Sequence, residues 1–184
     1  MIFKSLTLIT VTMVGSESAV CVAGDYSYLF FNKNYSKAID FWKVKLSTRE
    51  KKAYQVTVNG KTDLSNGGAI ACVYVPRNDE INLFFIGTDP ETQDLSLREV
   101  MLKGAKTVTE PKAWAEDKSL LNSKGFAIDG ESMLCAALND AQEPRVFFRR
   151  PKRATEVSFG EYKVVETGAK GKDWMTTPIT GLGS

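Results

Sequence analysis

The sequence predicts an α+β fold that consists mainly of antiparallel β-sheet, arranged as a sandwich or barrel, with two or three short helices. Three observations support this prediction. Residues 69–87 contain two apolar runs around a polar reversal, several other segments alternate apolar with polar side chains, and residues 94–140 carry helix-start signals. With 184 residues, the chain is long enough for one full-sized domain.

The central element is a β-hairpin predicted within residues 69–87, with residues 77–80 as its loop. This loop places Tyr74 opposite Leu83 and makes both faces of the hairpin largely apolar. A hairpin with one face in water would alternate apolar with polar residues. We therefore expect this pair of strands at the centre of a sheet that is covered on both sides.

Residues 1–24 have two interpretations. A basic start, a short apolar run and the small residues SESAVCVAG are typical of a secretory signal. However, Ile9, Val11 and Met13 fall on one face of a strand, and the run is rich in β-branched residues, which favours an ordered first strand. We favour the strand and keep the signal as the alternative. The run is too short to cross a bilayer, which takes ~20 apolar residues.

Four more strands are predicted before the hairpin, at residues 19–23, 26–32, 39–46 and 53–58. In the third, Trp42, Val44 and Leu46 alternate with lysines, which favours a half-exposed strand over a short helix. We expect the cations around the turn after this strand to be solvated. They are Lys43, Lys45, Arg49, Lys51 and Lys52.

Three segments after the hairpin carry helix signals. Ser96 and Glu99 have the spacing of a capping box and are expected to begin a short helix. Residues 109–122 form a second candidate, with Trp114 as its core anchor. Residues 131–138 consist of good helix formers and are predicted as a third helix, with a hairpin to the following strand as the alternative.

The C-terminal part is predicted to contain strands at residues 146–150 and 156–165. We assign residues 1–166 to one domain and residues 167–184 to an extended tail. Because the tail is rich in Gly, Thr and Lys, it cannot form a stable structure by itself, and we expect it to dock on its own core or on a neighbouring subunit. The residues expected to make the inter-subunit contact are Trp174, Met175, Ile179 and Leu182.

Histidine is absent, which excludes Ser-His-Asp and Cys-His catalysis and imidazole metal ligands. Cys21, Cys72 and Cys135 are far apart in sequence and form no CxxC pair, so we expect no structural zinc. Each lies among small apolar residues, which predicts buried thiols, with one disulfide and one free thiol as the alternative. We predict no catalytic residue, no metal and no cofactor.

The strongest local charge signal is the basic and aromatic stretch at residues 145–153. Cations beside an aromatic platform can hold a single-stranded nucleic acid, although an edge strand with Phe148 buried explains the same pattern. The net charge of +2 provides no global attraction to nucleic acid. The candidate nucleic-acid residues are Arg145, Phe147, Arg149, Arg150, Lys152 and Arg153.

These observations favour a non-enzymatic structural or assembly subunit, such as a component of a virus or phage particle, that contacts other subunits through its termini. Its partners would be protein subunits in a homo- or hetero-oligomer, with no membrane span, in a virion or a cytoplasmic assembly. One alternative is a nucleic-acid-binding module that uses residues 145–153. Another is a secreted or periplasmic binding or inhibitor domain, which requires residues 1–24 to be a signal.

Overall fold

The described part of the chain forms three four-stranded antiparallel sheets. The computed structural model describes residues 18–32, 36–111, 114–115, 121–122, 125–149, 162–167 and 174–178, the last two segments as backbone only. Within these ranges the chain forms twelve strands, and each sheet is a meander of four consecutive strands. The prediction of a mainly antiparallel β fold is therefore confirmed, whereas the prediction of two or three short helices is wrong.

Each sheet is formed by four strands that are consecutive in the sequence. The first sheet contains β1 (Ser18–Ala23), β2 (Tyr26–Asn32), β3 (Ile39–Lys45) and β4 (Lys51–Gln55). The central sheet contains β5 (Ile70–Val75), β6 (Glu80–Thr88), β7 (Leu95–Lys103) and β8 (Trp114–Ala115). The third sheet contains β9 (Cys135–Leu138), β10 (Pro144–Arg149), β11 (Tyr162–Thr167) and β12 (Trp174–Pro178).

The β5–β6 hairpin has both of its faces covered, as its sequence predicts. Every residue of β5 is buried, and so is every residue of β6 except Thr88. Cys72 and Leu83 belong to a first core shared with the first sheet, and Val73 and Phe84 belong to a second core shared with the third sheet. The hairpin therefore lies in the middle layer of a three-layer molecule.

The register of this hairpin differs from the prediction by two residues. Tyr74 lies opposite Ile81 rather than Leu83, because the loop occupies residues 76–79. Pro76 begins a short 3₁₀ turn, and Asp79 ends it with a φ of 48°. Proline has a fixed φ that suits the start of a turn, and aspartate tolerates the left-handed conformation better than most residues. A shift of two residues leaves every side chain on its predicted face.

Aromatic rings fill the first core. Tyr28, Phe30 and Phe41 are fully buried, and the rings of Phe30 and Phe41 lie 5.2 Å apart. Trp114 of β8 meets the same two rings edge-on, at centroid distances of 5.7 and 5.8 Å, which is a favoured geometry for aromatic pairs. Trp114 is thus the core anchor that we expected, on a strand instead of a helix.

The helix predicted from Ser96 and Glu99 is strand β7. The two residues do not form a capping box, because Glu99 is buried and its Oε1 accepts a hydrogen bond of 2.7 Å from Asn82 Nδ2 on the neighbouring strand. The apolar residues of the segment lie on both faces of the sheet, with Leu97 in the second core and Val100 in the first. Burial between two layers outweighs the local helix signal.

The other two predicted helices contain strands where the structure describes them. Within the candidate helix at residues 109–122, Trp114–Ala115 forms a strand that pairs with β7, Leu121 and Asn122 are helical, and residues 112–113 and 116–120 lie outside the described part of the chain. Residues 135–138 pair with β10, so the hairpin that we kept as the alternative is the correct reading of that segment. In both places a strand partner decides the conformation.

The predicted tail is in part a strand. Trp174 and Met175 lie in β12, which pairs with β11 so that Met175 is opposite Glu166. Ile179 and Leu182 lie outside the described residues, as do residues 1–17. The predicted strand at residues 19–23 is confirmed by β1, and β11 occupies the end of the predicted strand at residues 156–165.

Asn122 and residues 126–128 cover the outer edge of β7 beyond the short strand β8. Asn122 bonds the Glu99 backbone twice at 2.8 Å, through Oδ1 to its N–H and through Nδ2 to its carbonyl. Leu97 N–H donates to the Phe126 carbonyl, and Ile128 N–H donates to the Leu95 carbonyl. A side chain and two loop residues therefore supply hydrogen bonds that a neighbouring strand would otherwise make.

The Tyr28 side chain connects the first sheet to the segment after β7. Removal of its hydroxyl group should destabilise the fold by an amount that depends on pH. Its hydroxyl donates a 2.6 Å hydrogen bond to the Ala105 carbonyl, and burial raises its pKa. We expect Tyr28→Phe to lower the free energy of unfolding by roughly 1 kcal/mol at neutral pH.

The raised pKa sets the sign of the pH effect. Above pH ~10 an unfolded tyrosine loses its proton while folded Tyr28 keeps it, so the wild-type protein loses stability as the pH rises from there. The stability difference between wild type and variant should therefore shrink above pH ~10. Urea unfolding at pH 7 to 11 measures it, and a difference that is constant over that range would contradict this account.

Loss of one partner of the Asn82–Glu99 pair should destabilise the fold more than loss of both partners. We expect Asn82→Leu to lower the free energy of unfolding by roughly 1–3 kcal/mol, because a buried carboxylate oxygen loses its donor. The double variant Asn82→Leu/Glu99→Leu should recover part of that loss. Urea unfolding of both variants measures this, and a double variant less stable than the single one would refute the pairing.

Candidate interaction face

The outer face of the first sheet carries three rows of side chains across its four strands. The pairing of β1 to β4 fixes these rows, because side chains opposite one another on neighbouring strands point to the same face. The central row is entirely apolar and consists of Val20, Leu29, Trp42 and Ala53. The flanking rows are Val22, Ser27, Val44 and Lys51 on one side and Ser18, Phe31, Asp40 and Gln55 on the other.

Large apolar side chains on this face are in contact with solvent. Trp42 is 36% exposed and Val22 is 37% exposed, and Leu29, Phe31 and Val44 are half-buried. The opposite face of the same strands is packed in the first core. The sheet therefore has one face in the protein interior and a second apolar face that no other described part of the chain buries. We call this second surface the outer face.

Trp42 is the largest side chain of the outer face and is held in place by two neighbours. The Phe31 ring meets it edge-on at a centroid distance of 5.4 Å. The Lys51 ammonium lies 4.2 Å from the centre of the indole ring, within range of a cation–π interaction. A large aromatic side chain that is positioned before any partner arrives loses little entropy on binding.

The polar groups of the outer face lie at its two ends. At one end Gln55 Nε2 donates a 2.9 Å hydrogen bond to Asp40 Oδ1. At the other end is Lys51. Lys52, the next residue of the strand, forms an exposed ion pair with Glu50 at 3.3 Å, and the hydrogen bond within this pair raises the pKa of Lys52. Its register partner is Lys43, so Lys52 belongs to the opposite face. The apolar centre of the outer face is therefore bordered by a carboxylate at one end and by the Lys51 ammonium at the other.

In strand β3 the face that carries Lys43 is buried and the face that carries Trp42 is exposed, which is the reverse of what the alternation of apolar residues with lysines indicates. Lys43 points into the protein and is 5% exposed, so the prediction that it is solvated is wrong. Its ammonium donates to the Val108 carbonyl and lies 3.8 Å from the centre of the Tyr26 ring. Burial, with Lys52 as the second cause, lowers the pKa of Lys43. Phe41 shares its face, and Trp42 is left on the outside.

The basic and aromatic stretch is divided by the fold. Phe148 is buried in the second core, whereas Arg145 and Phe147 are partly exposed. Strand β10 lies between β9 and β11, so the interpretation of this stretch as an edge strand is wrong. Arg145 has Glu166 as its register partner, which places an acidic residue beside the proposed nucleic-acid contact. Of the candidate residues, Arg150, Lys152 and Arg153 lie outside the described part of the chain.

Two other polar clusters serve the fold. The Asp79 carboxylate accepts hydrogen bonds of 3.0 Å from the Tyr74 hydroxyl and from the Lys106 backbone N–H, which fixes the hairpin loop. The Asn82–Glu99 pair is buried, and Asn82 lies opposite Val73 on the face of the central sheet that packs in the second core. In the ranges that the structure covers, no three His, Cys, Asp or Glu residues come together as a metal site would require. No helix there is long and apolar enough to cross a membrane.

Comparison with known proteins gives a likeness of fold. No protein-family model and no curated protein matches the chain. Its fold is similar to that of the polysaccharide lyase Uly1, whose crystal structure matches 89% of this chain with a TM-score of 0.57 and 12% sequence identity. The match covers 41% of that protein, so this chain spans less than half of its length. At this identity the likeness concerns the fold alone.

Proposed function

We propose that this protein is a non-enzymatic assembly subunit that associates with a second copy of itself through the outer face. The observation that carries the proposal is the apolar central row around Trp42, which is solvent-exposed on a sheet whose other face is already a core. Contiguous apolar patches of this kind on soluble proteins are typical of interaction sites.

The distribution of charge supports a second copy as the partner. A two-fold axis that runs along the central row would place Trp42 against its counterpart and bring the Asp40–Gln55 end of one copy over the Lys51 end of the other. An isologous contact requires such self-complementarity, because the same patch is used twice. A face with charge of one sign would repel its copy.

The size of the outer face limits the strength of this contact. With ~4.8 Å between strands and ~3.3 Å per residue, three rows on four strands cover roughly 400 Å². Stable complexes bury about 800 Å² per partner, so a contact of this size corresponds to weak, reversible association. We expect a dissociation constant in the micromolar range or weaker.

This proposal moves the contact from the termini to the first sheet. The tail residues Trp174 and Met175 lie in a strand of the third sheet, so at least this part of the tail has a place in its own fold. The likeness to a polysaccharide lyase makes a sugar chain the competing occupant of the outer face, because aromatic side chains such as Trp42 and Phe31 also bind sugars. The experiment below distinguishes the two.

The outer face predicts a charge-swap experiment. Trp42→Lys and Trp42→Glu should each weaken self-association at least tenfold, because like charges then face each other across the two-fold axis. A mixture of the two variants should associate more strongly than either alone. Sedimentation equilibrium from about 10 µM to 1 mM measures the dissociation constants.

The matched control is Met133→Lys, which changes another exposed apolar side chain, at 43% exposure, in the segment before β9. It should leave self-association unchanged. Wild-type protein that stays monomeric over the whole concentration range would overturn the proposal, and so would an equal effect of the control. Binding of a soluble polysaccharide to wild type but not to Trp42→Glu, without self-association, would assign the face to a sugar instead.

A further inference from the structure

Two of the three cysteines meet in the first core, although they are far apart in sequence. Cys21 lies on β1 and Cys72 on β5, and they are 7% and 4% exposed. The two residues belong to the same cluster of packed side chains, and both carry free thiols in this structure. The pair is placed by the packing of two sheets rather than by a local sequence motif.

Strands β1 and β5, which carry these thiols, are in contact with each other but belong to different sheets. Strand β1 is the edge of the first sheet and β5 is the edge of the central sheet. A bond between Cys21 and Cys72 would therefore connect the edge strands of two layers covalently. Disulfides form where the Cα atoms are about 4.4–6.8 Å apart, and Cα atoms of β1 and β5 approach one another within 8 Å.

The surroundings of the pair do not suit a catalytic thiol. Burial, and after it the neighbouring Cys21 thiol, raises the pKa of Cys72 well above its ordinary value, so Cys72 is a neutral thiol at pH 7. Cys135 differs from both, because it is half-exposed on β9 while its neighbour Ala136 faces the second core. It therefore points away from the pair and serves as an internal control.

We propose that Cys21 and Cys72 are a dithiol that closes to an interlayer disulfide when the protein meets a disulfide oxidant such as oxidised glutathione. One thiolate attacks the oxidant, forms a mixed disulfide and releases one molecule of reduced glutathione. The second thiolate then attacks the protein sulfur and releases another. The protein loses two hydrogens and two electrons, and the oxidant gains them.

Closure of this bond would restrict the unfolded chain strongly. The bridge encloses residues 22–71. For a loop of that length, the equilibrium constant for forming the disulfide should be roughly 1,000-fold larger in the folded protein than in the unfolded chain. For a chain of this size the same effect corresponds to a rise in Tm of roughly 10 °C. The bond requires no association between copies and is independent of the proposed function.

A redox titration of the full chain tests the proposal. The protein is equilibrated in glutathione buffers of increasing oxidised fraction, natively and in urea, then quenched with acid, alkylated and weighed by mass spectrometry. Because the buried pair exchanges slowly, native samples are approached both from reduced folded protein and by refolding. We expect a species that lacks two hydrogens, keeps one alkylatable thiol at Cys135, and forms at a much lower oxidised fraction natively than in urea.

The variants identify the bridge. Cys135→Ser should form the same species, and neither Cys21→Ser nor Cys72→Ser should form it. If those two variants fail to fold, the comparison of native and urea-treated wild type still decides the matter, because it requires no substitution. A native protein that keeps three free thiols, or accumulates glutathione adducts instead of the bridge, would overturn the proposal. So would a bridge that contains Cys135.

Discussion

The burial of both faces of the β5–β6 hairpin is the constraint on which this fold depends. A strand pair whose side chains are apolar on both sides cannot lie at a surface, because either exposed face would leave large apolar side chains in water. Two covering layers are needed, and the chain supplies one before the hairpin and one after it. The three-sheet arrangement and the two cores follow from that requirement, as does the position of Asn82 and Glu99 between layers.

Much of the strand architecture could be predicted from local patterns, and the helices could not. The apolar runs of β5 and β6 indicate a doubly covered pair whichever loop joins them, since a shift of two residues preserves the faces. The capping-box spacing of Ser96 and Glu99 is a local signal, and it is outweighed by a contact between Glu99 and a residue of another strand. Such partners are set by tertiary structure and are invisible in a single sequence.

The outer face was missed because alternation does not reveal which side of a strand is inside. In β3 the set Ile39, Phe41 and Lys43 alternates with the set Asp40, Trp42 and Val44, and each contains two large apolar residues. The ring cluster around Phe41 and the carbonyl acceptor available to Lys43 decide the phase, and both come from distant segments. A long lysine can be buried where its amine reaches an acceptor, so the cation is a poor guide to the exposed side.

The loop that covers the edge of β7 has a consequence for how the protein can assemble. Open edges of sheets recruit further strands without limit, which is how fibres grow. Here Asn122 and its neighbours already occupy backbone positions that an incoming strand would use. Contacts between faces, in contrast, end once two faces have met. A molecule whose central sheet is covered at this edge resists the addition of strands there even when crowded.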